Sequence, residues 1–265
     1  MKDGQPFRAP RKARWRHRVR DLAYDWLPLR HRNVAPGLEG VTRFNRILDN
    51  EARKIYAPVI ERMHATVPEL MARKIPEANV QQAFVLDTVQ AFSHDNPRCR
   101  ILSVGCYEDT ADGCLLRWGY RVKGIDPALN MSLSEYLAEH PRKKGSFDIV
   151  FATSVLEHVQ DDEQFVLDCF ELLADGGVLI LTCDFLDTFQ PGDPLPDEDY
   201  RLYTQRDIRE RLFPLLDKAE WVSEPDWDCL QPDFNYHGHQ YTFSTLVLRK
   251  MLDGKTSGFD QGAVS

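Results

Sequence analysis

The middle of the chain alternates short β-rich runs with helical stretches, and this alternation restricts the fold more than any other feature. Arg100-Ile-Leu-Ser-Val-Gly105 is one such run, ending in glycine, with a helical stretch to Trp118 behind it. Tyr120 to Asp126 is a second, ending on an acid, and Phe147-Asp-Ile-Val-Phe-Ala-Thr153 is a third. Val178-Leu-Ile-Leu-Thr182, entered through Asp175-Gly-Gly177, is a fourth. Strands that are apolar along their whole length and separated by helices belong to a parallel sheet covered on both faces.

The residues before this block have a different character. Apolar positions recur at Trp15, Val19, Leu22 and Trp26, one face of a helix, while Arg14, Arg16, Arg18 and Arg20 occupy other faces. Residues 1–33 carry a net charge of +7, so the remainder carries −15 of the total −8. A basic helix on an acidic body has two readings: a solvated helix covering the body, or a surface for an anionic membrane or a polyanion. Residues 42–98 read as helices broken by prolines, including one from Phe44 to Met63 and one from about Asn79 to Phe92. The expected division is a basic tail and helical cap over 1–98, a ligand-binding domain over 99–250 and a flexible tail over 251–265.

Other classes are excluded or disfavoured. With 43% hydrophobic residues the chain can bury a sizeable core. No apolar stretch reaches the roughly 18–20 residues of a membrane span, and no signal peptide is evident, so a cytoplasmic location is expected, with peripheral contact at the inner membrane face through 11–32. The six cysteines form no C-x-x-C pair, which argues against a zinc site or a disulfide framework. The acidic body argues against nucleic acid, whose phosphates need a long basic track.

An open parallel sheet binds ligands beyond the carboxyl ends of its strands. Gly105 there would let a ligand approach the backbone, and Asp126, 21 residues on, could accept from a ribose diol. Phe147-Asp-Ile-Val-Phe-Ala-Thr-Ser-Val-Leu-Glu157-His158-Val, followed by Leu172-Leu-Ala-Asp-Gly-Gly-Val-Leu-Ile-Leu, resembles class I S-adenosylmethionine-dependent methyltransferases. More narrowly, Ser-Val-Gly-Cys-Tyr-Glu-Asp-Thr (103–110), Gly-Ile-Asp-Pro (124–127), Arg-Leu-Tyr-Thr (201–204) and the run over 241–250 are similar to bacterial methyltransferases of surface-polysaccharide and glycan biosynthesis. The resemblance implies an α/β, Rossmann-like doubly wound sheet, mostly parallel with an antiparallel last strand, plus an N-terminal helical extension. The closing hairpin would be formed by 219–228 and 241–249.

The resemblance also implies S-adenosyl-L-methionine as cofactor, held by Gly105, Cys106, Tyr107, Glu108, Asp109, Asp126, Pro127, Ser132, Leu133, Thr153 and Ser154. The first loop departs from the family's acid-x-Gly-x-Gly-x-Gly: Ser103 stands at the acid position and Tyr107 and Asp109 replace later glycines. Glu108 or Asp109 could instead meet the cofactor's ammonium, or Asp109 could cap the next helix. Only 20 residues separate Asp126 from Phe147, so 130–133 is read as a short third strand in place of a full helix and strand.

Methyl transfer to an alcohol needs a base close to the hydroxyl. His158 is the first candidate, oriented by Glu157 or Asp162, with His237 as a second. Adjacent residues such as Glu157 and His158 point apart on a helix, and no metal is expected. Asp184, Asp187, Tyr200, Arg201, Tyr203, Tyr236 and His239 could hold an acceptor, since aromatic faces and carboxylates together suit a sugar. The expected activity is O-methylation of a sugar or glycan-linked intermediate, with a small-molecule or glycan acceptor as the partner. Alternatives are a quinone-type O-methyltransferase and a degenerate, non-catalytic partner protein. The sequence assigns no oligomeric state.

Overall fold

Along each central strand successive side chains point to opposite faces of the sheet, and in this chain both faces are apolar. The computed structural model describes residues 7–26, 43–94, 96 and 98–252. The central strands are β1 (Ile101–Val104), β2 (Val122–Ile125), β3 (Phe147–Thr153) and β4 (Leu173–Phe185), joined by α5 (Thr110–Arg117), α6 (Leu133–Glu139) and α7 (Asp162–Leu172). Ile101, Ile149, Phe151, Val178 and Ile180 join one core with α2 (Asn50–Thr66) and α4 (Asn79–Ser93), which flank the short α3 (Pro68–Met71). Leu102, Val150, Ala152, Leu179 and Leu181 join the opposite core with α6 and α7.

The strand order is β2-β1-β3-β4-β7-β5, where β5 is Ala219–Trp221 and β7 is His239–Lys250. β1, β2, β3 and β4 pair in parallel, whereas β7 runs antiparallel to both β4 and β5. The short β6 (Phe234–Tyr236) pairs with β7 as a hairpin. The architecture is therefore a Rossmann-like, mostly parallel sheet with an antiparallel strand near one edge and helices on both faces.

Three sequence expectations are corrected. The segment 130–133 is not a strand, because Ser132 caps α6: its hydroxyl accepts from the Glu135 amide while the Glu135 side chain accepts from the Ser132 amide. The helix expected from Phe44 begins only at Asn50, where Asp49 accepts from the Ala52 amide at 2.9 Å. Residues 43–49 instead lie extended along β7, held by Asn45, which donates to the Val247 carbonyl and accepts from the Val247 amide. The strand expected over 219–228 stops at Trp221, and the closing hairpin is formed by β6 and β7. Helix begins at Arg11 within the expected basic tail; residues 1–6, 27–42 and 253–265 lie outside the described residues.

With no third strand, β2 is the edge of the sheet, and α1 (Arg11–Trp26) lies against it. Arg20 Nε donates to the Val122 carbonyl at 2.9 Å and His17 Nε2 to the Gly124 carbonyl at 3.1 Å. The Arg20 guanidinium holds Asp112 of α5 through two bonds of 2.7 Å, and Lys123 pairs with Asp21 and Asp25. Polar side chains thus satisfy edge carbonyls that would otherwise stand open. A Cβ on Gly124 would lie 2.7 Å from His17 and 2.9 Å from Arg20, so glycine here lets the helix approach.

Candidate active site

Gly105 ends β1 with φ +79°, a conformation that glycine adopts without strain. The expectation that its missing Cβ admits a ligand is corrected: a Cβ there would lie 2.4 Å from Val155 Cγ2, so Val155 fills that space. Asp126, beyond β2, is buried and accepts from the amides of Tyr107 (2.9 Å) and Ala128 (2.8 Å). Its carboxylate therefore ties the first loop to the second, with lone pairs remaining on each oxygen. Beside these tips opens a cavity of about 460 Å³ walled by Val104, Ile125, Pro127, Ser132, Leu133 and Val155, with His158 at one end.

The rest of the first loop is committed to the protein itself. Asp109 caps α5 by accepting from the Asp112 amide at 2.6 Å, and burial pushes its carboxyl up to about 6. Glu108 pairs with Arg73, so Glu108 is engaged by an ion partner and Asp109 by a helix amide within the chain. Cys106 is buried beside Gly124 beneath α1. Tyr107 packs its ring 5.5 Å from that of Phe7 and is not among the walls of the 460 Å³ cavity.

On the other side of the 154–158 turn lies a second cavity, about 350 Å³, lined by Ser154, His158, Asp184, Asp199, Tyr236 and Tyr241 among others. Thr153 is buried at the end of β3, in register with Thr182, and Ser154 follows at φ +53°. That turn sets the Ser154 hydroxyl 2.6 Å from Glu157, to which it donates. Three carboxyls converge: Glu157 and Asp184 are buried and the Asp199 side chain is 3% exposed. One oxygen of each (Glu157 Oε2, Asp184 Oδ1, Asp199 Oδ2) has no hydrogen-bond donor among the described residues. Burial pushes Asp184 well above the usual carboxylate range, and the charges of Glu157 and Asp199 push it further. Burial likewise raises Glu157, against the opposing pull of His158. Like charges this close cannot all ionise, so the group holds a proton at neutral pH. Among the described residues no set of three such groups is arranged to hold a metal ion.

His158 sits between the two cavities, but its partner is neither Glu157 nor Asp162. Its Nδ1 lies 3.0 Å from Asp199 Oδ1 and 3.1 Å from the Glu198 carbonyl. Partial burial works against the charged ring, and the Asp199 bond and the Glu157 charge outweigh it, lifting the pKa to about 9. Asp162 instead binds Arg211, Arg201 and the Tyr203 hydroxyl. Tyr203 is fully buried, donating also to the Leu156 carbonyl, which removes it from any acceptor surface.

The remaining residues divide between places. Tyr236 and His237 line the 350 Å³ cavity, His237 at φ +51° in the β6–β7 turn, while His239 lies outside its walls. Asp187, Tyr200 and Arg201 line a third cavity of about 720 Å³ bordered by the 190–204 loop, and Tyr200 also lines the 460 Å³ cavity. Asp187 there accepts from the Gln205 amide. Sequence reasoning missed Asp199 and Tyr241. Asp199 closes the Pro/acid-rich stretch 190–199, where the one visible signal was an acid immediately before the Tyr-Arg-Leu-Tyr run.

The family described as "Methyltransferase domain" matches residues 71–260. A probable S-adenosylmethionine-dependent methyltransferase of Mycolicibacterium smegmatis is 42% identical over 137 residues, 47% of this chain and 52% of that protein. One from Mycobacterium tuberculosis is 29% identical over 165 residues, 57% of this chain and 60% of that protein. A ubiquinone biosynthesis O-methyltransferase of Psychrobacter cryohalolentis is 29% identical over 126 residues, 40% of this chain and 49% of that protein. The chain thus spans about half to three fifths of these relatives' length. Among solved structures, an arsenic(III) S-adenosylmethionine methyltransferase from Chlamydomonas reinhardtii aligns with a TM-score of 0.40 at 17% identity, covering 60% of this chain and 64% of that one. Since the matching family spans well over half of its residues, the chain belongs to the methyltransferase-domain family.

Proposed function

We propose that this methyltransferase uses S-adenosyl-L-methionine to methylate a hydroxyl of a polar acceptor, a sugar or glycan-linked intermediate. When bound, that donor supplies a methyl group made electrophilic by a sulfonium. The 460 Å³ cavity suits its adenosine: Val104, Ile125, Leu133 and Val155 offer apolar walls for a base, Ser132 and Ser134 offer hydroxyls, and Asp126 stands between the wall residues Ile125 and Pro127 in the chain.

One observation supports the acceptor side above the others. The 350 Å³ cavity has a floor of buried carboxyls with donor-free oxygens, which accept hydrogen bonds from hydroxyls, beside the aromatic faces of Tyr236 and Tyr241. Glu157 and Asp184 share a proton that rests mainly on Asp184; Asp184, on the cavity wall, takes the hydroxyl proton once its own has passed to Glu157. His158 is the wrong group for that step at neutral pH, because its raised pKa keeps it charged. Its imidazolium offsets the acids and holds Asp199 in place.

Transfer of label from a methyl-labelled donor to a panel of sugars, nucleotide sugars and phenols tests the reading, with incorporation into hydroxyl-rich acceptors expected. Asp184→Asn should lower kcat by about 10²–10⁴ and leave donor affinity within a few fold. Wild-type turnover in that variant would remove Asp184 as the base. A second reading, a quinol or phenol acceptor, is favoured by the aromatic wall of Phe234, Tyr236, Tyr241 and Phe243 and by the relatives named for ubiquinone biosynthesis. Label found only on phenols would select it.

A further inference from the structure

We propose that the outer face of α1 docks on an anionic lipid bilayer. The helix turns its polar residues inward: His17, Arg20 and Asp21 face β2 and α5. Its apolar stripe is left facing outward, with Trp15 65% exposed, Val19 45% and Leu22 52%. A helix that only covered the body would bury this stripe; here the stripe faces outward.

The exposed cations complete the pattern. At 3.6 residues per turn, Arg11 and Arg18 fall on one side of the stripe and Lys12 and Arg16 on the other, and all four are exposed. Apolar side chains, Trp among them, entering the headgroup region between two rows of long cationic side chains match the demands of an anionic interface. The acidic remainder of the chain would be repelled by the same surface, which orients the molecule with α1 toward the lipid. A nucleic acid is the poorer fit, since at the centre of this face its phosphates would meet apolar side chains with the Trp15 indole as the one donor among Trp15, Val19 and Leu22. No described helix is long and apolar enough to cross a membrane, so contact at α1 would be peripheral.

The test is co-sedimentation of the full chain with vesicles of phosphatidylcholine alone and of phosphatidylcholine with phosphatidylserine, at low and raised salt. Binding to the anionic vesicles alone is expected, weakening as salt is added. Trp15→Ser combined with Leu22→Ser should reduce partitioning at least tenfold, as should Arg16→Glu with Arg18→Glu. These side chains are exposed, so both variants should melt within a few degrees of the parent. Any of three results would overturn the proposal: equal binding to both vesicle types or to neither; stronger retention on duplex DNA than on anionic vesicles; or a Trp15→Ser/Leu22→Ser variant that loses many degrees of melting temperature or turns a dimer into a monomer. The last would mean that residues 27–42 or a second copy cover the stripe.

Discussion

With Asp199 Oδ1 at 3.0 Å and the Glu198 carbonyl at 3.1 Å, the Nδ1–H of His158 is held by acceptors, and its pKa of about 9 follows from that setting. In the unfolded chain the ring titrates near 6.5. Between those values the folded protein keeps a proton that the unfolded chain has lost. The contribution to stability is therefore full below about 6.5 and disappears as pH rises through about 9. Asp199→Asn should bring the ring back toward its ordinary value and flatten the fall in stability over that window; NMR titration of the His158 ring and denaturant melts at several pH values check both. The assignment of Asp184 as base makes a separate prediction at this scale. Ser154→Ala, which removes the hydroxyl bound to Glu157, should raise the apparent pKa of the acid group and move the acidic limb of the kcat profile upward.

Among the elements, α6 and α1 show how much the sequence could reveal. The alternation of strands and helices over 100–182 was legible because a two-sided sheet imposes it on every strand. Segment 130–133 misled because Met131 and Leu133 suit a strand, while Ser132 and Glu135 form a capping box. Ser132→Ala should cost about 1 kcal/mol, readable as a lowered denaturant midpoint. In α1 the periodicity was legible, but not which face turns inward, since that depends on carbonyls and an acid about a hundred positions away. Breaking the Arg20–Asp112 pair with Arg20→Ala leaves a buried carboxylate without its partner, for which about 3–5 kcal/mol is expected. The same distance effect hid Asp199: nothing within the 190–199 loop indicates that it folds back to meet His158. The residues around 127–133 that wall the 460 Å³ cavity were visible as a candidate site because they follow a strand end directly.

For the molecule as a whole, two apolar cores share one sheet, with strand residues alternating between them. Loss of either core removes support from the other, so a single cooperative melting transition is expected by calorimetry. S-adenosylhomocysteine at about 100 times its Kd should add about 2.7 kcal/mol of stability. A melting temperature unmoved by it would favour a partner protein that binds no donor.

The polar seam between α1 and β2 has one more consequence. A protease cutting just after Trp26 and freeing the helix would bare the Val122 and Gly124 carbonyls along a raw strand margin. Nicked molecules would then add to one another strand by strand, and light scattering should climb during limited digestion while the circular-dichroism signal of the remaining fold persists.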